Sequence, residues 1–558
     1  MSRVLLLLVA TLPVFAGCDA CAPSFPVPSF EEMPVRGFSA PVLYGAEPRP
    51  TILEVNGPGV ALFDADGDGD MDLWIGQGST IERAAAGRPG AADRFLLNEG
   101  DGRYRNATEA WGLDQRGWSQ GVAVADVDMD GDRDLYVTNW GPNRLLRNDG
   151  GRFTDVSQEA GVADPGWGTS AAFGDADGDG DPDLYIANYL RFDVGDLPGP
   201  RPGRPCRWKR LLVSCGPKGL TPTADRLLLN RGDGSFEDAS ERVRVDRPAY
   251  GLGVLWADLN GDGHLDIFVA NDSAPNFLFE NRGDGHFTER GLFAGVSLSA
   301  DGKPQAGMGV ALGDPDGDGD PDLLLTHFSD DHHTLYRNLG RGIFEDASFP
   351  SGLGAATLPS LGWGVGFADF DLDGDEDLFS AHGHVYPGAL LAEHGTAYAQ
   401  RDHLYLNDGE GRFSESGQAA GIAGAHVARA AAFGDIDDDG DTDIVEMRLD
   451  GPPVVLRNRG APGRHWLRVR LLGPAGNPDG VGSRVRITAG GKVQTRWVTS
   501  GGSFQAVSDP RPLFGLGEIN KVERLEVRWP GGGTSRVDAP EVDEEVVVRP
   551  PTAAGSSE

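Results

Sequence analysis

Asp64-Ala-Asp-Gly-Asp-Gly-Asp-Met-Asp72, set between Gly59-Val-Ala-Leu-Phe63 and Leu73-Trp-Ile-Gly76, is the stretch on which the reading of this chain turns. The same nine-residue pattern returns six more times, from Asp126, Asp175, Asp258, Asp314, Asp369 and Asp435. Position 6 is glycine in every copy, and Leu or Ile follows at once. Oxygen side chains fill positions 1, 3, 5 and 9. They are Asp64, Asp66, Asp68 and Asp72; Asp126, Asp128, Asp130 and Asp134; Asp175, Asp177, Asp179 and Asp183; Asp258, Asn260, Asp262 and Asp266; Asp314, Asp316, Asp318 and Asp322; Asp369, Asp371, Asp373 and Asp377; and Asp435, Asp437, Asp439 and Asp443.

Alternate carboxylates on a tightly curled loop point inward together, and glycine relieves the backbone where the loop turns. Like charges held that close repel by about 1 kcal/mol per pair in water and about 4 kcal/mol at an effective dielectric near 20. A hard cation removes that cost. Calcium, with six to eight oxygen ligands in flexible geometry, fits the donor set, so up to seven Ca²⁺ ions are expected. An EF-hand shares the first half of the pattern but needs Glu at position 12 and flanking helices. Here position 12 is Ile75, Val137 and Ile186 in the first three copies, within strand-like flanks. Seven acidic turns without metal are the plainer alternative.

Short apolar strands precede and follow each loop. A third recurs downstream as RFLLN, RLLRN, RLLLN, FLFEN, TLYRN, HLYLN and VVLRN. Six of the seven copies continue through a glycine turn into a fourth strand, as in GDGRYRNAT. Four strands per repeat and seven repeats predict an all-β fold, a seven-bladed β-propeller over residues 36–460. The seventh repeat lacks its fourth strand, while the segment around Phe38 is a strand without a blade. That segment is expected to pair with the last blade and close the ring, since an open edge exposes unpaired backbone groups.

From Gly463 the pattern changes to alternating strands without acidic loops, which predicts a small β-rich, sandwich-like domain over 461–549 and a disordered tail over 550–558. Its strands carry Arg468, Arg470, Arg484, Arg486, Arg496, Arg524 and Arg528. A solvated outer face, an anion site or contact with the acidic propeller would each account for them.

The net charge of −36, with no basic stripe, excludes nucleic acid as a partner. The N-terminus, MSRVLLLLVATLPVFAGC, reads as a signal peptide over 1–18. Ala16-Gly17-Cys18 resembles a lipobox, which makes Cys18 the expected lipidation site; ordinary cleavage is the alternative. Residues 19–35 read as a tether. A lipid on Cys18 is then the only expected link to a membrane, and the protein is expected to be exported, anchored or secreted, and monomeric. Cys206 and Cys215, nine apart in an exported chain, are expected to form a disulfide. Cys21 is left unpaired if Cys18 is acylated, and a Cys18–Cys21 bridge is the other arrangement.

The acidic loops with their flanking strands resemble FG-GAP/VCBS repeats of the integrin-α type. The tail, with GVGSRVRITAGGKVQTRWVTSGGSFQAVSDPRPLFGLG and LEVRWPGG, is similar to an ASPIC/UnbV domain. Together they resemble the bacterial cartilage-acidic-protein-like family. The resemblance implies an extracellular calcium-binding protein of the adhesion or scaffold kind, with an unknown protein or glycan at the cell surface as partner.

Several features tempt a different reading. Arg231-Gly232-Asp233 and Arg282-Gly283-Asp284 spell an adhesion tripeptide, but both fall in the recurring N-x-G-D-G turn. His327, His332, His333, His382, His384, His394 and His403 cluster in two repeats, where a transition-metal or hydrolytic site competes with ordinary loop histidines. Trp118, Trp167, Tyr250 and Trp363 precede loops and either line a channel or pack between blades. No nucleophile elbow, phosphate-cradling loop, HExxH or dinucleotide fingerprint is present, so no enzymatic activity is expected. A carbohydrate-binding or carbohydrate-active propeller is the alternative to an interaction protein, and aromatic residues on one rim would favour it.

Overall fold

The computed structural model describes residues 27–47, 49, 51–191, 206–213, 215–386 and 395–551. The signal peptide, Cys18, Cys21, His394 and all but the first two residues of the 550–558 tail lie outside them. Each acidic loop joins an inner strand to a second strand, as Val60–Phe63 to Asp72–Ile75. A third and a fourth strand complete an antiparallel sheet, and seven such sheets form. The inner strands starting at Val60, Ser119, Gly168, Gly251, Val310, Gly362 and Ala428 neighbour one another in that order, and the last returns to the first. The fold is an all-β propeller, and apolar side chains fill the spaces between adjacent sheets, as where Leu62 and Leu73 meet Val445 and Met447.

The last sheet takes its outer strand from the N-terminus. Phe30–Pro34 pairs antiparallel with Val454–Asn458, from Phe30 opposite Asn458 to Pro34 opposite Val454. Ring closure by the N-terminal segment is therefore present, but the strand lies inside the stretch read as a tether. Phe38 does not supply it. Phe38 instead packs with Val35 and Val42 among the buried side chains between the first and last sheets. The apolar spacing of Phe30 and Met33 was masked by the Pro- and Ser-rich residues before it.

A second ring of bonds runs through the asparagine that ends each third strand. Asn148 Nδ2 donates to Ala65 O at 2.9 Å, in the loop of the preceding sheet. Asn230, Asn281, Asn338, Asn407 and Asn458 reach Val127, Ala176, Leu259, Pro315 and Phe370 in the same way, at 2.7–3.0 Å. Asn98 reaches Ile436 at 3.0 Å and completes the circle.

The C-terminal unit is two packed sheets. Leu513–Gly517, His465–Leu471 and Glu545–Val548 form one; Lys492–Trp497, Arg484–Ala489, Val522–Arg528 and Thr534–Asp538 form the other. Val469, Ile487, Phe514 and Leu525 are buried between them. From this unit residues 500–509 descend into the centre of the propeller. Ser500–Gly501 pairs antiparallel with Trp256 and Leu255, and Ala506–Val507 runs parallel to Val60–Ala61. Ser503 exchanges both backbone hydrogen bonds with Val310. Its hydroxyl accepts from Val365 N at 3.1 Å and donates to Ala431 O at 2.7 Å. Ser500 Oγ accepts from Phe173 N, and Gln505 Nε2 approaches Gln120 Oε1 at 3.4 Å. The segment thus bonds to all seven inner strands. Gly501, at φ +81°, could not carry a side chain, because a Cβ there would lie 2.4 Å from Val254 O. At the tip, fully buried Phe504 packs edge-on against Trp363, with ring centres 4.8 Å apart.

Two substitutions test these closures. Phe504→Ala and Phe30→Ala, each emptying an aromatic site in a close-packed region, should cost about 3–5 kcal/mol each in urea denaturation. Glu31→Ala, at an exposed position of the same N-terminal strand, should change stability by less than about 0.5 kcal/mol. Equal midpoints for all three would remove the structural roles assigned to the plug and the closing strand.

Candidate functional site

The seven loops share one internal geometry. The position-1 carboxylate turns back over its own loop and accepts the position-6 glycine N–H, as Asp64 does from Gly69 at 3.1 Å and Asp175 from Gly180 at 3.1 Å. That glycine has positive φ in every copy, from +86° at Gly319 to +101° at Gly131. Position 4 is also left-handed. Glycine meets that demand in four loops, but Met129, Leu372 and Asp438 stand there at φ +62°, +57° and +57°. Such residues visit this region at a cost, which the surrounding loop must hold.

The position-9 aspartate does two jobs. Asp72 Oδ2 accepts from Ala65 N within the loop, and its Oδ1 accepts from Asn98 N on the third strand. Asp134 and Asp183 repeat both bonds. In the fifth loop Pro315 offers no N–H, and Asp322 keeps only the bond to Asn338.

Carboxylate oxygens converge within 4.8 Å of one another in the clusters Asp64, Asp66 and Asp68; Asp126, Asp128 and Asp134; Asp175, Asp177 and Asp183; Asp314, Asp316 and Asp318; and Asp369, Asp371 and Asp377. These clusters could hold a metal ion. The donors are all hard oxygens, several are buried, and the loop backbone already fixes their directions. That set suits calcium and not a soft transition metal. Burial pushes the Asp72, Asp134 and Asp183 carboxyls up to about 8 and Asp322 to about 9, against the hydrogen bonds they accept. Neighbouring loop aspartates push the same way.

The arginine-bearing unit sits on this loop face. Arg468 Nη1 lies 2.7 Å from Asp435 Oδ2, and Arg470 Nη2 lies 3.3 Å from Asp64 Oδ2. Arg496 pairs with buried Glu376 at 3.0 Å, and Lys492 pairs with Asp375. Asp369 Oδ2 accepts the Gly515 N–H at 3.1 Å, and Arg133, at position 8 of the second loop, pairs with Asp479 at 2.7 Å. Contact with the acidic propeller, not a solvated face, therefore accounts for Arg468, Arg470 and Arg496. Arg524 stays on the outer surface, where it pairs with Glu526. In the seventh loop Arg457 also pairs with Asp437 and Asp439, as Arg147 at the same repeat position pairs with Asp128 at 3.6 Å in the second.

The histidines gather at the other end of the sheets. His333 Nδ1 accepts the His327 N–H at 3.2 Å, so the proton of the neutral ring is on Nε2. That Nε2 faces His382 Nε2 at 3.1 Å. A ring protonated there has no lone pair to offer a metal. Burial pushes both imidazoles well below their usual range, so the pair stays neutral. The adhesion tripeptide is also spent locally: Arg231 pairs with Glu237 at 3.0 Å and Asp233 accepts from Ser235. Trp118, Trp167 and Trp363 are buried in one cluster with Leu252, Met308, Val427 and Phe504, which gathers side chains from several sheets and the inserted segment, and Tyr250 packs against it. Cys206 and Cys215 are joined by a disulfide.

These features define a repeat propeller with acidic cation-type loops, capped and plugged by a second β unit. FG-GAP-like repeats match over 64–137, 126–186, 212–269, 258–325, 314–380 and 391–446, and the ASPIC and UnbV domain matches over 473–555. The chain belongs to the FG-GAP-like repeat family and ends in an ASPIC and UnbV domain. It is homologous to cartilage acidic protein 1. The Homo sapiens protein is 28% identical over 317 residues, covering 54% of this chain and 44% of the relative. The Mus musculus protein is 27% identical over 317 residues, covering 54% and 45%. The match thus spans less than half the length of these relatives. Among solved structures, BBS1N in complex with ARL6DN aligns at TM-score 0.41 with 11% identity, over 77% of this chain and 97% of that one. YCF48 bound to D1 peptide aligns at 0.40 with 9% identity, over 78% and 98%. Neither matched family describes a catalytic activity. No helix among the described residues is long and apolar enough to cross a membrane.

The raised carboxyl values carry a pH dependence. A group whose folded value lies above its unfolded value contributes stability that is full below the unfolded value near 4 and is lost as pH rises through the folded value. Metal-free protein should therefore lose stability between pH 5 and pH 9, and saturating calcium should flatten that loss. Calorimetric melting across this range, with chelator and with calcium, checks it. A metal-free protein that gains stability toward pH 9 would contradict the burial assigned to Asp72, Asp134, Asp183 and Asp322.

Proposed function

We propose that this chain is an exported, calcium-loaded propeller that works by binding a partner outside the cytoplasm, as an interaction or scaffold protein. The observation that supports it most is the convergence of three carboxylates within 4.8 Å, at least one of them buried, in the loops from Asp64, Asp126, Asp175, Asp314 and Asp369. Their mutual repulsion calls for a divalent counter-ion. The similarity to cartilage acidic protein 1 and the family's repeat type agree with that setting. Attachment through a lipid on Cys18 rests on the Ala16-Gly17-Cys18 sequence and a preceding apolar run. The partner on this reading is a protein or a glycan at the cell surface. The carbohydrate alternative is favoured by the grouping of Trp208, Phe328 and Tyr386, whose rings lie 5.8–6.2 Å apart at the end of the propeller away from the acidic loops.

Titration calorimetry of chelator-stripped protein should show several calcium ions bound per chain. At a hundredfold excess over Kd each site would add about 2.7 kcal/mol. Melting should fall sharply on chelation and recover with calcium more than with magnesium. Asp175→Asn should remove one ion from the stoichiometry. A melting curve indifferent to exhaustive chelation would sink the structural role of the metal.

A further inference from the structure

Three arginines of the C-terminal unit stay outside the ion pairs that hold it to the propeller. Arg468, Arg470 and Arg496 each meet a propeller carboxylate, but among the described residues Arg484, Arg486 and Arg528 make no ion pair. All three are half-buried. Arg484 stands directly opposite Arg528 on the neighbouring antiparallel strand, with Trp497 opposite it on the other side. Like charges placed so destabilise a sheet, and an opposite charge between them removes that cost. Arg528 Nη2 lies over the fourth acidic loop, 3.3 Å from where a Cβ on Gly263 would stand. Arg486 Nη2 lies over the fifth, 2.9 Å from the same point on Gly319.

Arg484, Trp497 and Arg528 line a cavity of about 260 Å³ between the C-terminal unit and the fourth loop. Exposed Arg341, in the turn between the third and fourth strands of the fifth sheet, lines it too and also makes no ion pair among the described residues. The loop carboxylates on its wall are turned to their own backbone. Asp258 accepts the Gly261 and Gly263 N–H groups at 2.7 and 3.0 Å, and Asp262 accepts that of His264 at 2.9 Å. Burial pushes the Arg484 guanidinium below its usual range, and Arg486 and Arg528 push it the same way. Asp258 and Asp320 oppose that push from beyond ion-pair distance. The fourth loop is also the copy with Asn260 in place of an aspartate, so a cation held there keeps one more unit of positive charge than in the other loops.

We infer that this cavity takes an oxyanion, a carboxylate or sulfate group, held between Arg484 and Arg528 beside the fourth loop. The guanidinium fork presents paired N–H donors that fit such groups. A cationic ligand would be repelled by three arginines, and a neutral one would leave their charge unmatched. The cavity is smaller than the roughly 300–1,000 Å³ of sites that enclose whole small molecules, so it suits a single acidic group. The inference rests on the calcium reading only for the charge inside the loop; the unpaired arginines stand without it.

The test is titration calorimetry of the calcium-loaded full chain with sodium sulfate and with sodium acetate, at an ionic strength held constant with sodium chloride. One oxyanion should bind per chain, and the tighter of the two names the group. Arg484→Gln and Arg528→Gln should each weaken that binding by about tenfold or more, since each removes charge-assisted hydrogen bonds. Arg524→Gln, on the outer surface beside Glu526, should leave it unchanged. Reading two arginines separately keeps the result clear if one variant folds poorly. Any of three results overturns the inference: neither oxyanion held by protein that loads calcium normally, binding undiminished in both variants, or an equal loss in Arg524→Gln, which marks a bulk charge effect. The first leaves the calcium-loaded interaction reading standing, since that reading is tested by the ion stoichiometry and the chelator response.

Discussion

The insertion of residues 500–509 along the propeller axis is the contact on which the rest of the structure depends. Inner strands in a ring this wide leave backbone donors and acceptors facing the centre, and such groups must be paired or hydrated. The inserted segment pairs with Trp256 and Leu255 on one side and Val60 and Ala61 on the other, and one serine hydroxyl bridges Val365 to Ala431. A plug bonded to every sheet ties the sheets to one another through a common centre. It also makes the C-terminal unit part of the propeller's core.

Charge sets the second constraint. The acidic loops all open on one face, and the C-terminal unit meets that face with Arg468, Arg470, Lys492 and Arg496. Some of these pairs are desolvated, with Arg468 and Asp435 8% and 2% exposed. Removing one partner of such a pair strands the other charge, at about 3–5 kcal/mol. The arginines therefore hold the two units in register as well as adding attraction. Buried Arg429 does the same at the opposite end without any carboxylate. Its guanidinium donates to Val55, Gly383, His384 and Ala428 carbonyls, joining the N-terminal segment to the last two sheets.

Much of this was legible in the sequence because it follows from local rules. Glycine at position 6 reports the left-handed turn, alternate aspartates report convergence, and flanking β-rich runs report strands. The asparagines were equally visible, ending every third strand from RFLLN to VVLRN, yet a lone amide carries no sign of the carbonyl it will meet in the next sheet. Partner identity was the hidden part throughout. Phe30 is separated from Val454 by most of the chain, so the closing strand had no local signature beyond its own short apolar spacing. The stretch TSGGSFQAVSDP showed a small-residue, turn-forming composition, which is also what a chain needs to pass close to surrounding backbones. Glu376 was invisible for the same reason, since its partner Arg496 lies more than a hundred residues away.

The plug also separates the two ends of the molecule. At its tip Phe504 rests on Trp363, among buried side chains drawn from several sheets. Electrostatics at the seventh loop is internal: Asp435 Oδ2 accepts from Arg468 and also takes the Gly440 N–H of its own loop. An ion entering that loop would compete with Arg468 for the same oxygen, so cation content and domain docking share a ligand atom. The opposite end is held by other contacts: Arg429 donates to the Val55, Gly383 and His384 carbonyls, and Trp363 packs on Phe504. Metal occupancy would then govern how tightly the cap is held, while the opposite rim keeps its shape.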